Sequence, residues 1–200
     1  MSKLVVQMYL SLDGVMQAPG AADDDRDGGF THGGWMAPHV DKAMSRDIVE
    51  LHAQAAGLLR GRRMYETMAR YFPHLTDDEN PAASAMNRVS KYVASRTLTA
   101  VNWQNSTLLP GEVGSEIARL KEQRGDEIQV LGSGQLVQTL MRHDLVDEYR
   151  LWIFPVLLGS GKRLFAGGTM PAPLALVGTK VTATGVVIHT YERVRSRLST

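Results

Sequence analysis

Two hundred residues, 44% hydrophobic and 22% charged, suffice for one soluble globular domain, expected to span residues 1–200. A formal net charge of +1 provides no field to recruit nucleic acid or an anionic membrane, so any anion site must be local. The lack of cysteine excludes disulfides, thiol catalysis and cysteine-ligated zinc; the short N-terminal apolar run meets Asp13-Gly14 too soon for a signal peptide or membrane span, which makes the cytoplasm the expected compartment.

Lys3 to Leu12 reads as a buried strand stopped by Asp13-Gly14. Val15 to Pro38 follows as a long loop rich in Gly, Asp, Pro and Ala. Loops of this length are usually disordered or functional, and Phe30 and Trp35 favour one that packs down, expected here as a lid over a flat ring. Its acidic run, Asp23, Asp24, Asp25 and Asp27, lacks a calcium-loop pattern and reads as solvated. Val40, Met44, Ile48, Leu51 and Ala55 share one helical face, with Asp41 in the first turn. Gly57 to Arg60 is a short strand, then Gly61 and a helix through Tyr65, Met68, Ala69 and Phe72.

Further strands are expected at Lys91 to Ser95, Thr107 to Leu109 and Ile128 to Leu131, with helix faces at Val113, Ile117, Leu120 and at Leu136, Val137, Leu140, Met141. Glu148 to Leu158, Leu174 to Val181 and Val186 to Arg193 read as strands without intervening helices. Alternating strand–helix units followed by hairpin-linked strands imply an α/β fold: a mixed, mostly parallel sheet flanked by helices, with antiparallel C-terminal strands.

Three strand ends offer anion-binding groups. In IQVLGSGQLVQTL, Gly132 and Gly134 let backbone approach a ligand, and the following helix presents free amides to phosphate. A tight strand-to-helix turn selects glycine for steric reasons as well. Arg62 and Arg63 open the helix after Gly61, where guanidinium groups suit a phosphate, although isolated basic pairs are commonly just solvated. Ser95-Arg96 repeats the pattern. Ligands of α/β sheets collect at such carboxyl ends. Asp13, read alone, is a β-turn aspartate; a carboxylate there could also orient or protonate a substrate. The six histidines have no metal-ligand spacing, and no metal site is assigned.

The ordered set MYLSLDGVM, HGGW, LLRGRRMYE, KYVAS, LGSGQLVQTLM and DEYRLWIFPVLLGSGKRLF resembles the dihydrofolate-reductase-like reductases over nearly the whole chain. The nearest branch in appearance is the bacterial stand-alone proteins similar to the C-terminal reductase domain of the riboflavin-pathway deaminase-reductase. The resemblance implies NADPH bound along the carboxyl edge of the sheet. Gly61, Arg62 and Arg63 match the glycine-arginine turn on the adenosine phosphate side, and Ser95 and Arg96 the strand end beside the 2′-phosphate. Gly132, Ser133, Gly134 and Gln135 match the pyrophosphate turn, with Leu136 next, and Asp13 the substrate-facing aspartate treated as catalytic.

Departures accompany the match. Where riboflavin reductases carry an Asp-Asp-Pro-Arg-Leu stretch after the second strand, this chain has RGRRMYETMARYFP, so sugar-phosphate ligands do not carry over. The implied activity is reduction of a small heterocycle, formally 5-amino-6-(5-phosphoribosylamino)uracil. A pterin reductase and a non-catalytic binding module on the same fold are the alternatives. Related reductases are commonly dimers, which implies a homodimer using the region Glu148 to Arg193.

Overall fold

The computed structural model describes residues 1–123, 125, 127–165 and 170–195. The strands are β1 (Lys3–Ser11), β2 (Ala55–Gly61), β3 (Ser90–Ala94), β4 (Ser106–Leu108), β5 (Glu127–Leu131), β6 (Glu148–Phe154), β7 (Leu174–Val181) and β8 (Val187–Arg193). They form one sheet in the order β4-β3-β2-β5-β1-β6-β8-β7. Every pairing from β4 through β6 is parallel, while β8 runs antiparallel to both β6 and β7. Helices α1 (Lys42–Ala53), α2 (Arg62–Tyr71), α3 (Ala83–Arg88), α4 (Val113–Glu122) and α5 (Gly134–Arg142) lie in the crossovers that parallel pairing demands. The mixed α/β sheet with an antiparallel C-terminal edge is the architecture expected from the sequence.

β1 sits between β5 and β6 and is buried along almost its whole length, which explains an apolar run interrupted only by Gln7 between Leu4 and Leu10. Its Leu4, Val6, Met8 and Leu10 pack toward Ile117 and Leu120 of α4 and Leu136, Val137 and Leu140 of α5. Tyr9 belongs to the opposite face, with Met44 of α1, Trp152 and Phe154 of β6, and Phe30 and Trp35 of the long loop.

Local chemistry sets the differences from the expected boundaries. α1 starts later than expected because Asp41 is its N-cap, accepting the Met44 N–H at 2.7 Å; Val40 precedes the helix, and Ala55 already opens β2. β6 stops at Phe154 because Pro155 has no N–H for the ladder. α3 was not anticipated, since six residues are too few to display a helical period.

The long loop contradicts the lid expectation. The Trp35 indole N–H donates to the Gln17 carbonyl at 2.8 Å, and its ring meets Phe154 edge-on at 5.3 Å. Phe30 and Trp35 are each only 7% exposed, so both aromatics are fastened into the core rather than free to cover a ligand.

Candidate functional site

After Leu131 the chain turns through left-handed conformations at Gly132 (φ 62°) and Ser133 (φ 60°) and enters α5. The strained conformation at a non-glycine residue is held by a specific contact: Ser133 Oγ accepts the Gly61 N–H at 2.9 Å, joining the ends of β5 and β2. Ser133 makes no side-chain cap to α5, and Gly61, with no side chain, cannot cap α2. Two helix N-termini with amides uncapped by side chains therefore stand side by side at the carboxyl edge, a setting that favours an anion. A Cβ at Gly132 would collide with Met64 Cε, and one at Gly134 with Met16 Cε. Only flexible thioether ends cover this turn, so it fits the cradle a pyrophosphate requires.

Arg62 and Arg96 flank that edge, exposed and without an ion-pair partner among the described residues. Backbone register places Ala94, just before Ser95-Arg96, opposite Gly61. Ser95 Oγ accepts the N–H groups of Thr97 (3.2 Å) and Leu98 (3.0 Å), which shapes the turn carrying Arg96. Gln135 is exposed on the first turn of α5, and Leu136 points into the core.

Arg63 turns elsewhere. It pairs with Asp27 of the long loop at 2.5 Å, and Lys162 binds Asp25 at 2.6 Å and Asp27 at 2.8 Å. Gln17, itself buried, reinforces this clasp by donating to the carbonyls of Asp25 and Asp27 and accepting the Lys162 N–H. Lys162 first, then Arg63, lower the Asp27 carboxyl to a pKa of about 2. The acidic run read as solvated is thus in part an ion-pair anchor. No local pattern signals it, because Asp27 and Lys162 are 135 residues apart.

Asp13 lies at the end of β1 with both carboxylate oxygens engaged. Oδ1 accepts from Ser11 Oγ (2.6 Å) and the Leu158 N–H (3.2 Å), Oδ2 from the Gly159 N–H (2.8 Å), and Arg163 approaches at 3.5 Å. The Ser11 bond, with the Leu158 and Gly159 amides, lowers its pKa to about 2. It is ionised at neutral pH and ties β1 to the loop after β6, a geometry for positioning rather than for donating a proton.

Sequence reading passed over Arg60, the penultimate residue of β2, which is fully buried under α1. Its one signal was an arginine among the apolar residues of LLRG. Two open grooves, of about 520 and 540 Å³, are lined by none of Asp13, Gly61, Arg62, Arg63, Ser95, Arg96 or the Gly132–Leu136 turn. Among the described residues no group of three or more His, Asp or Glu could hold a metal ion, and no helix is long and apolar enough to cross a membrane.

Residues 2–189 match the family described as the RibD C-terminal domain. The Bacillus subtilis (strain 168) protein YyaP is 28% identical over 195 residues, 94% of each chain, and YwjB of the same strain is 40% identical over 72 residues, 36% of this chain and 41% of its own. The fold is shared with a Shewanella sp. PV-4 protein described as belonging to riboflavin biosynthesis (24% identity, TM-score 0.71, 96% of this chain and 99% of that one). It is shared also with a Corynebacterium diphtheriae pyrimidine reductase-like protein (11% identity, TM-score 0.61, 97% and 92% covered). A third likeness is a Thermotoga maritima diaminohydroxyphosphoribosylaminopyrimidine deaminase/5-amino-6-(5-phosphoribosylamino)uracil reductase (13% identity, TM-score 0.62), of which this fold covers 57%.

Proposed function

The chain belongs to the RibD C-terminal domain family, and on that basis we propose that it is an NADPH-dependent reductase of a small heterocycle, formally of the 5-amino-6-(5-phosphoribosylamino)uracil type. The observation that supports this most is the Gly61–Ser133 junction, where the N-termini of α2 and α5 meet beside Arg62 and Arg96.

In this reading the amides opening α5 hold the pyrophosphate, while Arg62 and Arg96 hold the 2′-phosphate through charge-assisted hydrogen bonds. Arg63 joins them when it exchanges Asp27 for phosphate. A bound nicotinamide supplies the hydride, so the chain needs to orient two rings and exclude water rather than provide a nucleophile. Asp13, ionised, holds the β1 end and the Leu158–Gly159 loop in register beside the reacting ring. The protein acts as a homodimer in the cytoplasm, with the edge strand β7, which exposes Leu176, Val177 and Val181, at the interface.

Following NADPH oxidation with the pyrimidine and with dihydrofolate tests the proposal. Turnover of the pyrimidine is expected. Turnover of dihydrofolate alone selects the pterin reductase instead, and cofactor binding without turnover of either selects a binding module.

A further inference from the structure

The register of β6, β8 and β7 sorts their side chains onto two faces. Tyr149, Leu151 and Ile153 of β6 point to the α5 side of the sheet. Pairing carries that side to Tyr191, His189 and Val187 on β8 and on to Leu176, Thr179 and Val181 on β7. The reverse side holds Glu192, Ala175 and Lys180, and there Lys180 pairs with Asp47 of α1. Among the described residues nothing covers the first face over β7, where Leu176 is 55% and Val181 63% exposed.

A groove of about 520 Å³ continues this face, walled by Met141, Tyr149, Phe165, Met170 and Leu174. Leu174 stands two residues before Leu176 on the same side of β7, and Phe165 and Met170 are themselves exposed. Charge enters at one end only, where Arg142 lies and Arg193 binds Asp144 at 2.9 Å. In the middle, His189 Nδ1 and Thr179 Oγ1 hydrogen-bond each other at 3.1 Å, so the face can lose its water without stranding either group. An apolar centre with a polar end is the anatomy of a protein interface.

We propose that two copies of the chain pack this face against face, as a sheet-on-sheet sandwich about a two-fold axis, the groove of each receiving apolar side chains of the other. This rests on the homodimer reading and names its surface. An uncharged apolar face asks for an equally uncharged partner, and the one described surface of this chain with that character is the face itself, which a two-fold axis brings onto its own copy. The strip of β8 and β7 measures roughly 10 by 25 Å. The groove and the relief of the side chains extend it toward the about 800 Å² that each partner of a stable dimer buries. Adding strand to strand at the outer edge would leave these side chains in water, and the bulge between Leu176 and Gly178 disturbs the ladder that such an addition would extend.

Neighbouring residues on opposite faces of β7 provide the test: Leu176→Lys on the proposed face, Ala175→Lys on the reverse, and Val181→Lys as a second face variant in case the first does not fold. Solution mass by light scattering at micromolar concentration is read beside a circular-dichroism melt. The unmodified protein and Ala175→Lys should have twice the chain mass. Each face variant should fold and have the mass of one chain, its dissociation constant raised at least about a hundredfold, because the two-fold axis buries the lysine twice. A dimer that survives in a folded face variant, or that Ala175→Lys splits as readily, overturns the face. A monomer in the unmodified protein overturns the face and the homodimer reading together. NADPH binding measured on the same samples judges the reductase reading separately.

Discussion

Gly61 and Ser133 are joined by a single hydrogen bond, from the backbone N–H of the first to the Oγ of the second at 2.9 Å, and it closes the gap between the ends of β2 and β5. Ser133→Ala leaves that partly buried N–H without its acceptor. A loss of about 1–3 kcal/mol in denaturant unfolding is expected, with weaker NADPH binding because the two helix N-termini are no longer held together. An alanine variant with unchanged unfolding midpoint and cofactor affinity would show that the junction contributes to neither.

Gly134→Val tests the turn from the other side. The added side chain points into Met16 Cε and stands over the first amides of α5. NADPH affinity should fall by at least about tenfold, one lost phosphate contact, with the fold retained because the obstructing neighbour is the end of a flexible side chain. A folded variant with undiminished affinity, read by cofactor fluorescence, places the pyrophosphate elsewhere.

The clasp between Arg63 and Asp27 competes with any anion at that helix end. Asp27→Asn releases Arg63 and should tighten NADPH binding, by no more than about fivefold, the range of an exposed ion pair. The gain should shrink as salt is added. Weaker binding in this variant would mean that Asp27 supports the site rather than occupying its arginine.

Acid should destabilise the fold in two successive windows. His52 is neutral in the fold with a pKa of about 4 against an ordinary 6.5, so its contribution is complete above 6.5 and lost as pH falls toward 4. Asp13, lowered from 3.8 to about 2, keeps its contribution above 3.8 and loses it toward 2. Asp13→Asn should therefore lower the melting temperature at neutral pH, with the deficit closing only below pH 4, and leave NADPH affinity intact. A deficit that is the same at pH 2 and pH 7 contradicts the hydrogen-bonding account of Asp13.

The elements that were legible are those whose signal is local. The apolar run of β1, the 3.6-residue spacing in α4 and α5 and the strand-glycine-helix order at Leu131–Gly134 each state their structure within about a dozen residues. The placement of Asp13, Gly61, Ser95 and Gly132 at one edge followed from the parallel topology, because residues at the ends of parallel strands share an edge whatever their sequence separation. What stayed hidden depends on distant pairing. Nothing near Trp35 distinguishes a core aromatic from a lid, Asp27 meets Lys162 only in the folded chain, and the isolation of Arg60 is a property of what surrounds it on three other strands and α1.

Solution mass tests the dimer. β7 is the last strand of the sheet, with Leu176 55%, Val177 54% and Val181 63% exposed, an apolar edge that pairing would protect. Light scattering at micromolar concentration should give twice the chain mass, and Val177→Lys should reduce it toward one chain. A monomer in the unmodified protein removes the interface from the account.

The central claim is that the carboxyl edge built by Gly61, Arg62, Arg96 and the Gly132–Gln135 turn binds a phosphorylated nicotinamide cofactor. Fluorescence titration of the unmodified protein with NADPH and with NADH, beside the Arg62→Ala/Arg96→Ala double variant, tests it most directly. Two charge-assisted contacts of about 1.5–3 kcal/mol each predict saturable binding that favours NADPH by at least about tenfold and a double variant that no longer distinguishes the two cofactors. Equal affinities in the unmodified protein, or no saturable binding of either cofactor, would contradict it.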